Sequence, residues 1–296
     1  MTVALGIREA AVVLAAVSDT PRLDAELLMA HALGVSRTTM LIHAMRDPVP
    51  AGNASLVARR LNHEPVAYIL GHQEFYGLNL IVTPDVLIPR GDSETLIEAA
   101  RAELADTPPA RILDLGTGSG ALLLAALSLW PDAHGVGLDR SLGAVAVAAA
   151  NAGRLRMAQR ARILHGDWDR PGWEDALGRF DLILANPPYV ETAAALAAQV
   201  RNHEPAGALF AGPDGLDAYR VLIPQLAALL QPGGLALVEI GAMQADPVSA
   251  LARDAGFGAA LHHDLGGRPR ALALAVKKAL GNATDRHYRR NKPEGG

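Results

Sequence analysis

The sequence predicts an α/β protein in which a parallel sheet, covered by helices on both faces, follows a small all-helical domain and a β-hairpin linker. Three observations carry this. From Arg111 onward, short apolar strands alternate with helical stretches, in "RILDLG", "HGVGLD", "ARILHGD", "FDLILANPP" and "GGLALVEIG", with "RALALAVK" as a late strand; this is the pattern of successive βαβ units. Before residue 73 the apolar periodicity is helical throughout. Between the two, "EFYGLNLIVTPDVLIPR" is rich in aromatic and β-branched residues and has Gly77 placed for a turn, which reads as a hairpin.

Each element has a local reason. In "DTPRLDAELLMAHALGVS", Thr20 is the expected cap and Pro21 suits the first helical turn; Leu23, Leu27, Leu28 and Ala30 recur at helical spacing, and Gly34 follows the last apolar residue. The expected organisation is a small helical domain over 1–73, a hairpin linker over 74–90, a sheet domain over 91–278 and a tail over 279–296. That tail lacks apolar periodicity and reads as flexible.

Composition narrows the function. Half of the 296 residues are apolar, enough for a substantial core, and a formal charge of −4 argues against broad, charge-driven binding to nucleic acid. Absence of cysteine removes disulfides, zinc ribbons and thiol nucleophiles together. The start lacks a basic region ahead of its apolar stretch, and the longest apolar run, "ALLLAALSLW", is too short to span a bilayer. A cytoplasmic protein without a membrane partner is expected. His262 and His263 are neighbours on a strand and point to opposite faces, so no metal site is expected; His31, His43 and His63 read as surface or capping residues.

The chemistry begins at "RILDLGTGSG". Gly116, Gly118 and Gly120, with Thr117 and Ser119 between them, form the turn from the first strand into a helix, where a ligand can approach the backbone and meet free N–H groups. The spacing is G-x-G-x-G rather than the G-x-G-x-x-G of a dinucleotide site, and Asp114 precedes it. A carboxylate there would repel a pyrophosphate but favour a sulfonium and its amino group. Asp139 ends the second strand, where a carboxylate can accept both ribose hydroxyls. Asp167 and Trp168 end the third, suited to an exocyclic amine and an adenine ring. Together these point to S-adenosylmethionine as cofactor; the competing reading makes Asp139 and Asp167 plain turn residues.

The fourth strand stops in Asn186, Pro187, Pro188 and Tyr189. An amide or exocyclic-amine nitrogen is a poor nucleophile because its lone pair is delocalised. Acceptors for both of its N–H groups favour a pyramidal nitrogen and offset the positive charge that develops during attack. The Asn186 side-chain oxygen is one such acceptor. The Pro187 carbonyl is the other, because Pro187 forces Asn186 into an extended conformation and neither proline carries an N–H. Tyr189 supplies a flat wall for a planar group.

With these motifs in place, the chain resembles the release factor glutamine methyltransferases. "EPVAYILGHQEFYGLNLIVTPDVLIPR", "LDLGTGSGA", "GLDRS", "ANPPYV", "HEP" at 203–205, "AGPDGLDAYR" at 211–220, "GGLALVEIG" and "DLGGRPRALAL" follow the family in order and spacing from about residue 20 to 277. The resemblance implies a Rossmann-like S-adenosylmethionine-dependent methyltransferase domain behind a helical docking domain. The implied reaction is methylation of the side-chain nitrogen (N5) of the glutamine in the Gly-Gly-Gln motif of class I peptide chain release factors. It also implies cofactor contacts at the Gly116–Gly120 turn, Asp139 and Trp168, with Asn186 shared between cofactor and substrate and Asn186 to Tyr189 as the glutamine clamp. A large protein substrate needs an open cleft, which favours a monomer. The alternatives are an adenine or guanine exocyclic-amine methyltransferase acting on DNA or RNA, which would need a basic groove, and a binding module that has lost activity, which would be expected to damage Asn186 or the glycine turn. One departure stands out: where the family usually continues the proline-arginine pair with Pro-Glu-Thr-Glu, this chain has Gly91, Asp92, Ser93 and Glu94 after Arg90. Loss of the proline predicts a looser segment, and no catalytic role is expected for Arg90 or Glu94.

Overall fold

A computed structural model of the protein describes residues 1–276; the expected tail over 279–296 lies outside the described residues. The chain begins with α1 (Val3–Leu14), α2 (Pro21–Leu33), α3 (Arg37–Thr39), α4 (Asn53–Leu61) and α5 (Val66–Leu70), followed by a hairpin of β1 (His72–Phe75) and β2 (Leu78–Ile81). A 3-10 turn at Gly91–Ser93 leads into α6 (Glu94–Glu103), then β3 (Arg111–Leu115), α7 (Ala121–Leu129), β4 (His134–Asp139), α8 (Leu142–Arg154), β5 (Ala161–His165) and β6 (Phe180–Ala185). After α9 (Ala198–His203) come α10 (Asp217–Leu229), β7 (Leu230–Glu239), α11 (Ala245–Asp254), β8 (Phe257–His263) and β9 (Pro269–Val276). Among the described residues no helix is long and apolar enough to cross a membrane.

Two compact units form. The first gathers Met1–Gln73, Val82–Pro84 and Ala195–Pro205. Its core holds Ile7, Leu14, Leu28, Met29 and Met40, all fully buried. Helix α2 ends at Gly34 in the left-handed region (φ 69°), but Thr20 makes no side-chain bond to the helix backbone; its hydroxyl meets Asp24 Oδ1 instead, at 3.3 Å. Leu23 is exposed, whereas Asp24 and Glu26 are buried. Apolar spacing alone could not reveal this face, because its buried carboxylates are matched by distant arginines. Arg60 donates to Asp24 at 2.8 Å, to the Val17 carbonyl at 3.1 Å and to Gln199 Oε1 at 3.0 Å. Removing one partner of such a buried pair costs roughly 3–5 kcal/mol. The Gln199 bond, with His203 Nε2 at 3.1 Å from the Asn62 carbonyl, explains why α9 groups with this unit although it follows the fourth strand of the sheet in sequence.

The second unit gathers Glu74–Ile81, Asp85–Ala194 and the chain from Ala206. Its seven strands run in the order β5-β4-β3-β6-β7-β9-β8. Strands β5 to β7 pair in parallel, while β9 pairs antiparallel with both β7 and β8. The late strand β9 runs antiparallel within the parallel sheet that the strand–helix alternation predicts, because only a short turn joins β8 to β9 and a parallel return would need a long crossover. Along β6, Leu182 and Leu184 join one core layer while Ile183 and Ala185 join the other. This two-sided burial is why the parallel strands read as continuous apolar runs. Strand order reverses between β3 and β6, whose ends lie in register at Leu115 and Ala185. In a Rossmann-like sheet that reversal opens the crevice in which ligands bind.

The β1–β2 hairpin turns at Tyr76 and Gly77, with φ of 50° and 76°, the positive pair that a two-residue type I′ turn demands. Tyr76 is held there by Glu94, which accepts its N–H at 2.9 Å, and by Glu98, which accepts its hydroxyl at 2.6 Å. Fully buried Asn151 on α8 accepts from the Ile81 N–H at 2.7 Å and donates to the Ile81 and Ser119 carbonyls at 3.0 and 2.9 Å. One side chain thus ties the hairpin to the glycine turn.

Candidate active site

The turn after β3 is a backbone structure. Gly116, Gly118 and Gly120 have φ of 74°, 54° and 83°, conformations that side-chain-bearing residues rarely adopt. The Gly116 and Thr117 N–H groups donate to the Leu138 carbonyl at 2.9 and 3.0 Å, pinning the turn to the end of β4. A methyl group added at Gly116 would lie 3.1 Å from the Trp168 ring. Trp168 therefore lies across the first glycine, while a methyl at Gly118 would meet only the Gly116 carbonyl, at 3.9 Å.

Asp114 is placed differently from the contact residue expected. It is 1% exposed and lies under the turn, with Oδ2 accepting from the Thr117 hydroxyl at 2.6 Å and from the Leu123 N–H at 3.3 Å. Its Oδ1 is buried without a partner. Burial pushes its pKa up to about 7, and the neighbouring Asp139 charge adds to the rise. A residue so covered shapes the turn and reaches a ligand only through it.

Asp139 holds the Gly118 N–H on Oδ2 and the Ser141 N–H on Oδ1, both at 2.9 Å. It acts as a strand-end turn residue in these bonds, yet a carboxylate has about four acceptor positions and two are taken. Asp167 accepts the Asp169 N–H at 3.1 Å and lies 3.6 Å from the exposed Arg170. The neighbouring Trp168 is fixed from α10, where Gln225 donates to the Trp168 carbonyl at 3.2 Å and accepts from Trp173 Nε1 at 2.6 Å.

The second half lies one strand away. Pro187 is buried, and Asn186, Pro188 and Tyr189 are partly so. Asn186 Nδ2 lies 3.4 Å from Ser93 Oγ, and the Tyr189 hydroxyl donates to Glu239 Oε1 at 3.2 Å. Burial raises the Tyr189 pKa, and the Glu239 charge raises it further. The Tyr189 carbonyl accepts from Gln244 Nε2 at 3.1 Å. Gly215 passes so close to that carbonyl that a methyl group would come within 2.3 Å of it, a physical reason for the glycine in "GPDGLD". Arg90, Asn186, Tyr189, Val190, Leu209 and Glu239 help line a cavity of about 170 Å³. Sites for whole small molecules typically measure about 300–1,000 Å³, so this one is nearer the size of a side-chain group than of a whole ligand.

Three supporting groups have roles that the sequence does not announce. Ser93 and Glu239 are 4% and 1% exposed, and Glu239 ends β7 beside β6, so an acid closing the apolar run "LALVE" was the available signal. Asp92 accepts from Arg268 at 3.2 Å and from Arg270 at 3.0 Å. The segment that lost the family's proline is thus held by two arginines from the β8–β9 turn and β9 rather than left loose. Glu94, given no catalytic role, serves the hairpin as described above. Among the described residues no cluster of three or more His, Cys, Asp or Glu could hold a metal ion.

Comparison with known proteins places this geometry. The PrmC N-terminal domain family matches residues 7–71, and the methyltransferase small domain family matches residues 92–204. The chain is 44% identical over 269 residues to the release factor glutamine methyltransferase of Rhodospirillum rubrum, covering 89% of this chain and 81% of that protein. It is 45% identical over 242 residues to the enzyme of the same name from Bordetella pertussis, covering 80% of this chain and 88% of that one. Among solved structures, the hMettl16 catalytic domain in complex with MAT2A 3'UTR hairpin 6 superposes with a TM-score of 0.55 at 15% identity, covering 72% of this chain and 83% of that one, a likeness of fold alone. With a glycine turn and an Asn-Pro-Pro-Tyr strand end meeting at the switch point, and with relatives this similar over most of its length, the chain belongs to the release factor glutamine methyltransferases.

Proposed function

We propose that this protein transfers a methyl group from S-adenosylmethionine to the side-chain amide nitrogen of the glutamine in the Gly-Gly-Gln motif of class I peptide chain release factors. The observation that carries the reading is the pairing of Leu115 with Ala185, which sets the glycine turn and the Asn186–Tyr189 clamp on adjoining strand ends. The names of the relatives support the acceptor.

The residues fit the cofactor. The Gly116–Gly120 turn, including Thr117 and Ser119, gives a cradle that side chains would fill; the free lone pairs of Asp139 suit ribose hydroxyls, and Asp167 and Trp168 suit adenine. The partnerless Oδ1 of Asp114 would be stabilised by the positive charge that a bound cofactor brings to the turn. The cofactor supplies one thing, a methyl group made electrophilic by its sulfonium. The chain does the rest: Asn186 Oδ1 and the Pro187 carbonyl accept the two amide N–H groups, localising the nitrogen lone pair, and Pro188 and Tyr189 fix its plane. No strong base is needed, because the nitrogen loses its proton readily once methylated.

The test is peptide-level mass analysis of a purified, unmethylated release factor incubated with the protein and S-adenosylmethionine. A single added methyl on the Gly-Gly-Gln glutamine, lost with Asn186→Ala, is expected. Methyl label found in DNA or RNA, with none in the release factor, overturns the reading.

A further inference from the structure

We propose that Ser93 and Glu239 are positioning residues that set the hydrogen-bond polarity of Asn186, turning its Oδ1 toward the cavity. The inference rests on the reading above that Asn186 receives the acceptor amide, and it assigns work to two residues that act through Asn186.

A carboxamide is nearly symmetric in shape but opposite in chemistry at its two ends. If Asn186 presented Nδ2 to the acceptor nitrogen, donor would face donor and the lone pair would not be localised. Something must distinguish the ends, and the partner of Asn186 in the structure is the Ser93 hydroxyl, 3.4 Å from Nδ2. That distance is long, as catalytic contacts often are before substrate binds. A serine hydroxyl has one proton and can donate or accept, so Ser93 distinguishes the ends only if its own proton is committed elsewhere.

Glu239 commits it. Its carboxyl is 1% exposed, and the Ser93 hydroxyl faces it and lowers its pKa, although Oε2 completes no hydrogen bond of good geometry. The ionised carboxyl takes the Ser93 proton, leaving Ser93 Oγ as an acceptor for Asn186 Nδ2. The charged and titratable groups facing Glu239 are the Tyr189 hydroxyl on Oε1, Arg270 of β9, which lowers its pKa, and Asp92, which raises it; Tyr219 of α10 donates to its backbone carbonyl at 2.8 Å. Burial dominates and pushes Glu239 up to about 6. Above that pH the polarity is fixed. Below it a protonated Glu239 can donate to Ser93, which frees the serine proton for Asn186 Oδ1 and permits the flipped amide. Ser93 is held in place because the neighbouring Asp92 is clamped by Arg268 and Arg270.

The experiment combines steady-state kinetics on a purified release factor, S-adenosylmethionine binding by calorimetry, and asparagine-selective 15N NMR of the Asn186 side-chain amide. Ser93→Ala and Glu239→Gln are expected to lower kcat about tenfold or more, as loss of a fixed acceptor should, with cofactor affinity within about threefold; Ser93→Thr, which keeps the hydroxyl, restores most of it. Native kcat falls as pH drops through about 6, and Glu239→Gln lacks that limb. Asn186 amide signals should move with the same midpoint and shift in both damaging variants. Native kcat in Ser93→Ala and Glu239→Gln, or Asn186 signals indifferent to both, overturns the proposal. If the native protein labels no release factor, the acceptor reading fails by itself, and the NMR signals still decide whether Ser93 and Glu239 orient Asn186.

Discussion

The two halves of the active site are built in opposite ways. The glycine turn is local: five consecutive residues take backbone conformations that their own identities permit, and Asp114 of β3 and Asp139 at the end of β4 brace it from below and beside. The Asn186–Tyr189 clamp is assembled from afar, with Ser93 ahead of α6, Glu239 at the end of β7, Gln244 beyond it and Arg270 on β9. A local device tolerates change elsewhere and fails when its own residues change. An assembled device can be disabled from many positions while its own motif stays intact.

Breaking the assembled half at its centre should have the largest effect. Asn186→Ala is expected to lower kcat about 10²–10³-fold with a much smaller loss of S-adenosylmethionine affinity by calorimetry, since the glycine cradle stays intact and only the contact that Asn186 shares with the cofactor is lost. The reverse split should follow from Gly116→Ala. The added methyl meets the Trp168 ring at 3.1 Å in a left-handed backbone, so cofactor affinity is expected to fall about tenfold, ~1.4 kcal/mol, with a smaller change in kcat at saturating cofactor.

Asn151→Ala probes a tie between the turn and the hairpin. Leaving the Ile81 and Ser119 groups unpaired should cost about 2–3 kcal/mol, read as a lower urea midpoint. The subtlest effect concerns Asp114. Its pKa rises from 3.8 to about 7 on burial, so over that window the folded state keeps a proton that the unfolded state has lost. Its contribution to stability is therefore full below about 3.8 and falls as pH rises towards 7. Asp114→Asn, which preserves acceptors for Thr117 and Leu123, should flatten this part of the stability profile and be more stable than the native protein at pH 8.

The same contrast explains what could be read from the sequence. Strand and helix positions were legible because apolar period encodes them, and the glycine turn was legible because G-x-G-x-G states its backbone conformation outright. The Asn-Pro-Pro-Tyr end announced itself by placing prolines where a buried strand should continue. The roles of Ser93, Glu239 and Asn151 could not be read: each is one polar residue whose meaning is a partner 93, 50 or 70 positions away. The reversal of β9 was hidden because an apolar run has no direction, and the burial of Asp114 was hidden because residue type does not say which side of a turn a carboxylate occupies. The grouping of α9 with the helical unit depends on Arg60, again a distant pairing.

The place of β9 between β7 and β8 has a consequence for biosynthesis. Ribosomes deliver β8 before the strand that joins it to the sheet, so β7 remains an open edge and β8 has no partner until residues 269–276 emerge. Arg270 arrives on that same strand, and with it the clamp on Asp92. A nascent chain can therefore complete its glycine turn long before the surroundings of Asn186–Tyr189, and among the described residues the last strand to leave the tunnel is the one that closes both the sheet and the proposed acceptor clamp.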